Sequence, residues 1–122
     1  MKIALIVDPL PQLKAYKDSS VAIMRAAQAR GHAVHAIDRA SISVRDGKVG
    51  AASRALSLRA DDQDWFSAAP ALRESLDTFD AVLMRQDPPF DAEYVTATWL
   101  LERAEAHGAR VWNRPRAIRD HS

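Results

Sequence analysis

The sequence contains no cysteine. That absence excludes a disulfide framework and thiolate metal sites, and it suits a reducing compartment. Glycine is nearly as scarce. The four glycines each read as a turn residue or a helix end, so no glycine-rich loop is available to cradle a phosphate or a dinucleotide. Charge of one sign is missing too: 17 basic and 16 acidic residues are interspersed for a net charge of +1. No basic stripe can neutralise a run of phosphates and no acidic tail stands out, which argues against a nucleic-acid partner. The opening apolar run, residues 3–7, is too short for a signal-peptide core or a membrane span. A cytoplasmic protein with no membrane partner is expected.

What is present suits a single domain. In a chain of 122 residues, 48% hydrophobic, there is material for one core and not for two. "KIALIV" is an aliphatic run bounded by Asp8 and Pro9, the pattern of a central strand covered on both faces. Asp18 or Ser19 can cap the helix "SSVAIMRAAQAR", in which Val21, Met24, Ala27 and Gln28 share a side, and Gly31 supplies its stop. "HAVHAI" is a second strand, and the strand, helix, strand unit predicts a right-handed parallel crossover. The plan repeats as "FDAVLM", a helix over "DAEYVTATWLLERAEAH" capped by Asp91 and ended by Gly108, and the strand "ARVWN".

Between these units "SISVRDGKVGAASRALSL" predicts an antiparallel hairpin excursion turned by Asp46 and Gly47. In "RADDQDWFSAAPALRESLDT", Asp61, Asp62 and Asp64 are expected to open a short helix that carries Trp65 and Phe66 inward and is broken by Pro70. The fold class is therefore α/β: a three-layer, mostly parallel sheet with an antiparallel excursion.

Open parallel sheets gather ligands beyond the carboxyl ends of their strands. Segments 8–17, 38–41, 85–89 and 113–115 lie there. The stretch "VLMRQDPPFDAEY" plants Arg85 and Asp87 directly after an apolar strand, with Pro88 and Pro89 stiffening the backbone around them. Arg85 offers a planar fork for a carboxylate, aided by the helix N-terminus near Asp91. Asp87, extended ahead of Pro88, can accept from an ammonium, so a zwitterionic, amino-acid-like ligand suits the pair. The plainer reading is a solvated loop in which Arg85 pairs with Asp87 or Asp91. If the first and third core strands are neighbours, the Asp8 and Arg85 loops face one crevice.

Other candidates carry less. His32 and His35 lack a third metal ligand and read as exposed. Asp38 stands where some dinucleotide folds bind a ribose, but no Gly-x-Gly-x-x-Gly follows the first strand, which leaves it a solvated loop acid. Ser19 and Ser20 read as capping residues, and Trp99 and Trp112 as core or interface groups.

The stretches "MKIALIVDPLPQLKAYKDSSVAIMRAAQARGH", "MRQDPPFDAEYVTATWLLERAEAHG" and "NRPRAIRD" are similar to successive signature stretches of bacterial glutathione synthetase, in the N-terminal domain preceding its ATP-grasp portion. Gln86 stands where that family more often has lysine, which leaves Arg85 and Asp87 intact. The resemblance implies a Rossmann-like pre-ATP-grasp domain over residues 1–122. Its parent would be an ATP-dependent, magnesium-requiring ligase, usually a homotetramer, that joins γ-glutamylcysteine to glycine through an acyl phosphate, releasing ADP and phosphate. ATP, Mg2+ and most catalytic groups belong to the family's ATP-grasp domains, expected to follow Ser122. This chain is therefore expected to be inactive alone, with no catalytic residue and no cofactor of its own. The resemblance also implies that Asp8, then Lys17, Asp18 and Ser19 of "YKDSS", then Arg85 and Asp87 of "RQDPP" border the peptide substrate. The competing class is a non-enzymatic, flavodoxin-like binding or assembly domain. What the gene encodes after Ser122 separates the two.

Overall fold

Both faces of β1 (Lys2–Ile6) are apolar, and its Ala4, Leu5 and Ile6 are fully buried, so the strand sits inside the sheet with a partner on each side. The computed structural model describes residues 1–85, 100, 102–106 and 108–112. Within them β1 pairs in parallel with β2 (Ala33–Ile37) and β7 (Ala81–Met84), and β7 pairs in parallel with β8 (Val111–Trp112). The strand plan expected from the alternating units is present.

Helix α1 (Ser19–Ala29) links β1 to β2. Its cap is Asp18, whose carboxylate accepts from the N–H groups of Ser20 and Val21 at 2.8 and 3.1 Å. Gly31 takes the left-handed conformation, φ 86°, that lets the chain leave the helix. Val21 and Met24 pack against Leu5, Val7 and Val34 on one face of the sheet. On the other face Ala4, Ile6, Val82 and Met84 form a second core with Leu100 and Ala104 from a helical segment at 100 and 102–106. The remainder of the helix expected from Asp91 onward, and the segment 113–122, lie outside the described residues.

The antiparallel excursion is larger than a hairpin. Asp46 and Gly47, both at positive φ, turn β3 (Ser43–Arg45) into β4 (Lys48–Leu58) as expected. β4 then serves as a spine. One edge carries β2 and β3, separated by the three-residue 3-10 turn Arg39–Ser41, and the other carries β5 (Phe66–Ala68) and β6 (Leu72–Ser75). The sheet is thus mixed and not mostly parallel as expected, with three parallel and four antiparallel pairings among the described residues, in the order β3-β4-β2-β1-β7-β8 with β5 and β6 on the free edge of β4.

Several further expectations need correction. Asp61, Asp62 and Asp64 do not open a helix; residues 66–75 form the strands β5 and β6. Arg59 organises the acidic loop instead, binding the Asp64 carboxylate and the carbonyls of Asp64 and Phe66. Trp65 is buried, as expected, but from a strand edge. Pro70 breaks no helix: it stands where the register on β4 slips by one residue between β5 and β6, a bulge that does not need its missing N–H. Gly50 is not a turn residue. It lies within β4, and a Cβ there would stand 2.8 Å from the Glu74 carbonyl oxygen, so glycine permits the close approach of β6.

His35 is not exposed either, because its side chain retains only 14% of its accessible surface. It faces Glu74, which takes an ion pair from Lys2 and a 2.6 Å hydrogen bond from the Ser53 hydroxyl. Burial pushes the His35 pKa down and the Lys2 ammonium adds to this, against the opposing pull of Glu74. Burial alone would raise the Glu74 pKa, but the bonds from Lys2 and Ser53 with the Lys2 charge outweigh it and leave the carboxyl below its ordinary value. Both shifts act in the same direction on stability. A group with a depressed folded pKa binds its proton more weakly in the fold, so its contribution is complete above the unfolded value and is lost as pH falls through the folded value. Loss from His35 begins below its unfolded value of 6.5, and loss from Glu74 below 4.5. The melting temperature is therefore expected to fall in two stages on acidification, and His35→Gln should flatten the first. Parallel melting profiles for wild type and variant across that first stage would remove His35 from the account.

Candidate functional site

The parallel register of β1 and β7 pairs Ile6 with Met84, and the Arg85 N–H donates to the Ile6 carbonyl at 2.9 Å. Arg85 therefore leaves the sheet at the same rim as Asp8. The N-terminus of α1 begins at that rim as well, because α1 follows β1. Arg85 Nη2 donates to Ser19 Oγ at 2.8 Å, and its Nε reaches Ser20 Oγ at 3.4 Å. Since Asp18 caps the helix, both hydroxyls are left to face Arg85. Among the described residues no carboxylate lies within ion-pair distance of Arg85. Asp87 and Asp91, the partners of the solvated-loop reading, lie outside the described residues.

The other candidates divide. Lys17 is exposed, with its ammonium 5.7 Å from the centroid of the Tyr16 ring. Asp18 is committed to the helix cap, which makes its contribution one of position. Asp8 borders a cavity of about 700 Å3 that opens between residues 8–11, the turn at Asp38 and Arg39, and strands β4 and β5. Lys17, Asp18, Ser19 and Arg85 do not line it. The Asp8 and Arg85 loops share a rim, and among the described residues they serve different places along it.

Reasoning from sequence missed Arg54 and read Asp38 as a solvated loop acid, which its exposure bears out, without giving either a place in a cavity. Arg54, on β4, lines the cavity from the excursion, and Asp38 lines it while capping the following turn through the Ala40 N–H at 3.0 Å. The available signal was the alanines Ala36, Ala52 and Ala68, one on each of three strands, whose small side chains make room where their neighbours fill the core.

A family model described as the N-terminal domain of prokaryotic glutathione synthetase matches residues 1–119. The chain belongs to that family. Curated relatives named glutathione synthetase agree with the match. The protein of Ralstonia nicotianae is 51% identical over 122 residues, covering 100% of this chain and 38% of the relative. That of Bordetella pertussis is 49% identical over 126 residues, covering 99% of this chain and 40% of the relative. That of Nitrosomonas europaea is 45% identical over 125 residues, covering 100% and 39% respectively. This glutathione synthetase N-terminal domain thus spans about 40% of the length of the relatives it matches.

The glutathione synthetase family brings ATP and Mg2+ into question for this chain. Among the described residues no group of three or more His, Asp or Glu side chains could hold a metal ion. Gly31 and Gly47 stand at turns and Gly50 within a strand, so none builds a phosphate-cradling loop. The described residues do not fit either group.

Proposed function

We propose that this chain is the substrate-side, Rossmann-like pre-ATP-grasp domain of a glutathione synthetase. Its parent would ligate γ-glutamylcysteine to glycine in an ATP- and Mg2+-dependent reaction, as a cytoplasmic homotetramer. The nucleotide and metal would be held by parts of the parent outside residues 1–122, and the chain alone would be inactive. The observation that carries this reading is the setting of Arg85: a guanidinium at the carboxyl rim, held by two serine hydroxyls rather than by a carboxylate among the described residues. Hydroxyls orient the fork without neutralising it, which leaves the charge for an incoming carboxylate.

The chain's part in the reaction is then to hold a peptide still. Arg85 binds a substrate carboxylate, Ser19 fixes the angle of the fork, and Asp18 fixes Ser19 by capping the helix that carries it. Asp87 and Lys17 complete the border, with a carboxylate for the peptide ammonium and a lysine for a second anionic group, while Asp8 stands farther along the same rim at the cavity. A rigidly held reactant needs less ordering at the moment of reaction.

Glycine-dependent release of ADP by the intact parent tests the reading. It is expected with γ-glutamylcysteine and absent from the isolated chain. Robust turnover with a different dipeptide and little with γ-glutamylcysteine would overturn the substrate assignment.

A further inference from the structure

The cavity beside Asp8 is not explained by the Arg85 site. It is built from the face of the sheet that α1 covers. Toward the amino ends of the parallel strands that face carries Val34, Leu56 and Leu58, packed around Val21 and Met24. Toward the carboxyl rim the same face changes to Ala36, Ala52 and Ala68, and about 700 Å3 opens above them. That volume falls within the usual range for small-molecule pockets of ~300–1,000 Å3.

Few polar groups reach this mostly apolar recess, and they carry both signs. Arg54 is paired across the strands with Ala36, so its side chain stands on the same face of the sheet and lines the cavity. Among the described residues its guanidinium has no hydrogen-bond or ion-pair partner. Asp8 and Asp38 stand on the wall made by the first two strand exits, and Phe66 adds an aromatic surface. Arg39 lines the turn wall beside them, so the recess holds two guanidiniums, of which Arg54 has no partner among the described residues, with two carboxylates and an apolar floor; this set matches a molecule with a carboxylate, an ammonium and some carbon between them.

We propose that this cavity is a second binding site, separate from Arg85, for a small zwitterion of amino-acid or dipeptide class, its carboxylate on Arg54 and its ammonium toward Asp8 and Asp38. The loop 8–11 that walls the cavity continues to the Asp18 cap and thus to the serines that hold Arg85. A ligand here touches the chain segment that leads to the first site, which gives the domain a place to sense an amino acid or peptide without consuming it.

The test is a titration of the isotope-labelled 122-residue chain, followed by amide NMR shifts, with L-alanyl-L-phenylalanine as probe. Saturable shifts are expected at Ala36, Ala52 and Ala68. The N-acetyl and C-terminal amide derivatives, each lacking one charge, should bind about tenfold more weakly or worse, and so should the dipeptide to Arg54→Gln. Arg85→Gln should leave cavity affinity within about twofold. Absence of saturable shifts, equal binding of the N-acetyl derivative, or unchanged affinity in Arg54→Gln would each overturn the proposal. Loss of cavity binding in Arg85→Gln would show one site where two are claimed. None of these outcomes depends on the parent's ligase activity.

Discussion

Arg85→Ala in the intact parent should lower kcat/KM for γ-glutamylcysteine by about ten- to a hundredfold, the effect of losing a hydrogen-bonded charge pair of roughly 1.5–3 kcal/mol. How the loss divides between constants identifies the role. If Arg85 holds the peptide equally in ground and transition states, KM rises and kcat stays; if the grip tightens as the carboxyl reacts, kcat falls with it. Arg85→Lys should recover only part of the loss, because an ammonium cannot present two parallel donors. Folding should change little. The shorter of the side chain's described bonds, 2.8 Å, goes to the exposed Ser19, whose hydroxyl can turn to water when freed, and the contact with the buried Ser20 is a long one at 3.4 Å. Unchanged kinetics in both variants would make Arg85 a structural residue and remove the observation on which the functional reading rests.

The Arg85 setting also shows what a sequence reveals and what it hides. β1, β2, β7 and α1 were legible because each carries a pattern that local physics reads directly: an aliphatic run bounded by turn residues, or helical spacing closed by Asp18 and Gly31. The Asp46–Gly47 turn was legible for the same reason. The contact between Arg85 and Ser19 was not, because 66 residues separate the two and only the parallel pairing of β1 with β7 brings them together. Nor did local pattern decide between two cap candidates; both serines became available to Arg85 once Asp18 took the cap. The helix expected between Asp61 and Pro70 failed for a different reason. Three acids followed by apolar residues resemble a helix start, but Arg59 draws Asp64 back along the edge of β4, and the sheet then dictates strand geometry. Tertiary pairing overrode local preference, since strand preference depends on the neighbours a segment meets. The cavity escaped for a similar reason, since its alanine floor comes from β2, β4 and β5 and exists only in register.

The largest effect on stability is expected at Phe79, and it arises from the same non-local assembly. Phe79 is 3% exposed and belongs to the core cluster of Ala4, Ile6, Val82 and Met84. Its ring meets the His35 ring edge-on at 5.3 Å, and the Lys2 ammonium stands 4.7 Å above its centroid. Its N–H donates to the Leu76 carbonyl, closing the turn that carries the chain from β6 to β7. Phe79→Ala should cost about 3–5 kcal/mol, the sum of lost transfer energy and the cavity left behind, which is a large part of the ~5–15 kcal/mol that holds a typical domain folded. Urea unfolding should show the loss as a lower midpoint at constant m value. Phe79→Leu should restore most of it, since volume matters more here than the cation–ring contact of roughly 0.5–1 kcal/mol at a partly exposed site. The alanine variant should also admit water to His35 and flatten the first acid stage of the melting profile, because burial is the main cause of that histidine's depressed pKa. A loss under ~1 kcal/mol, or an unaltered acid stage, would show that Phe79 does not seal the Lys2–Glu74–His35 group. The short turn would then be held by its backbone hydrogen bond and by Leu76, the fully buried residue that opens it.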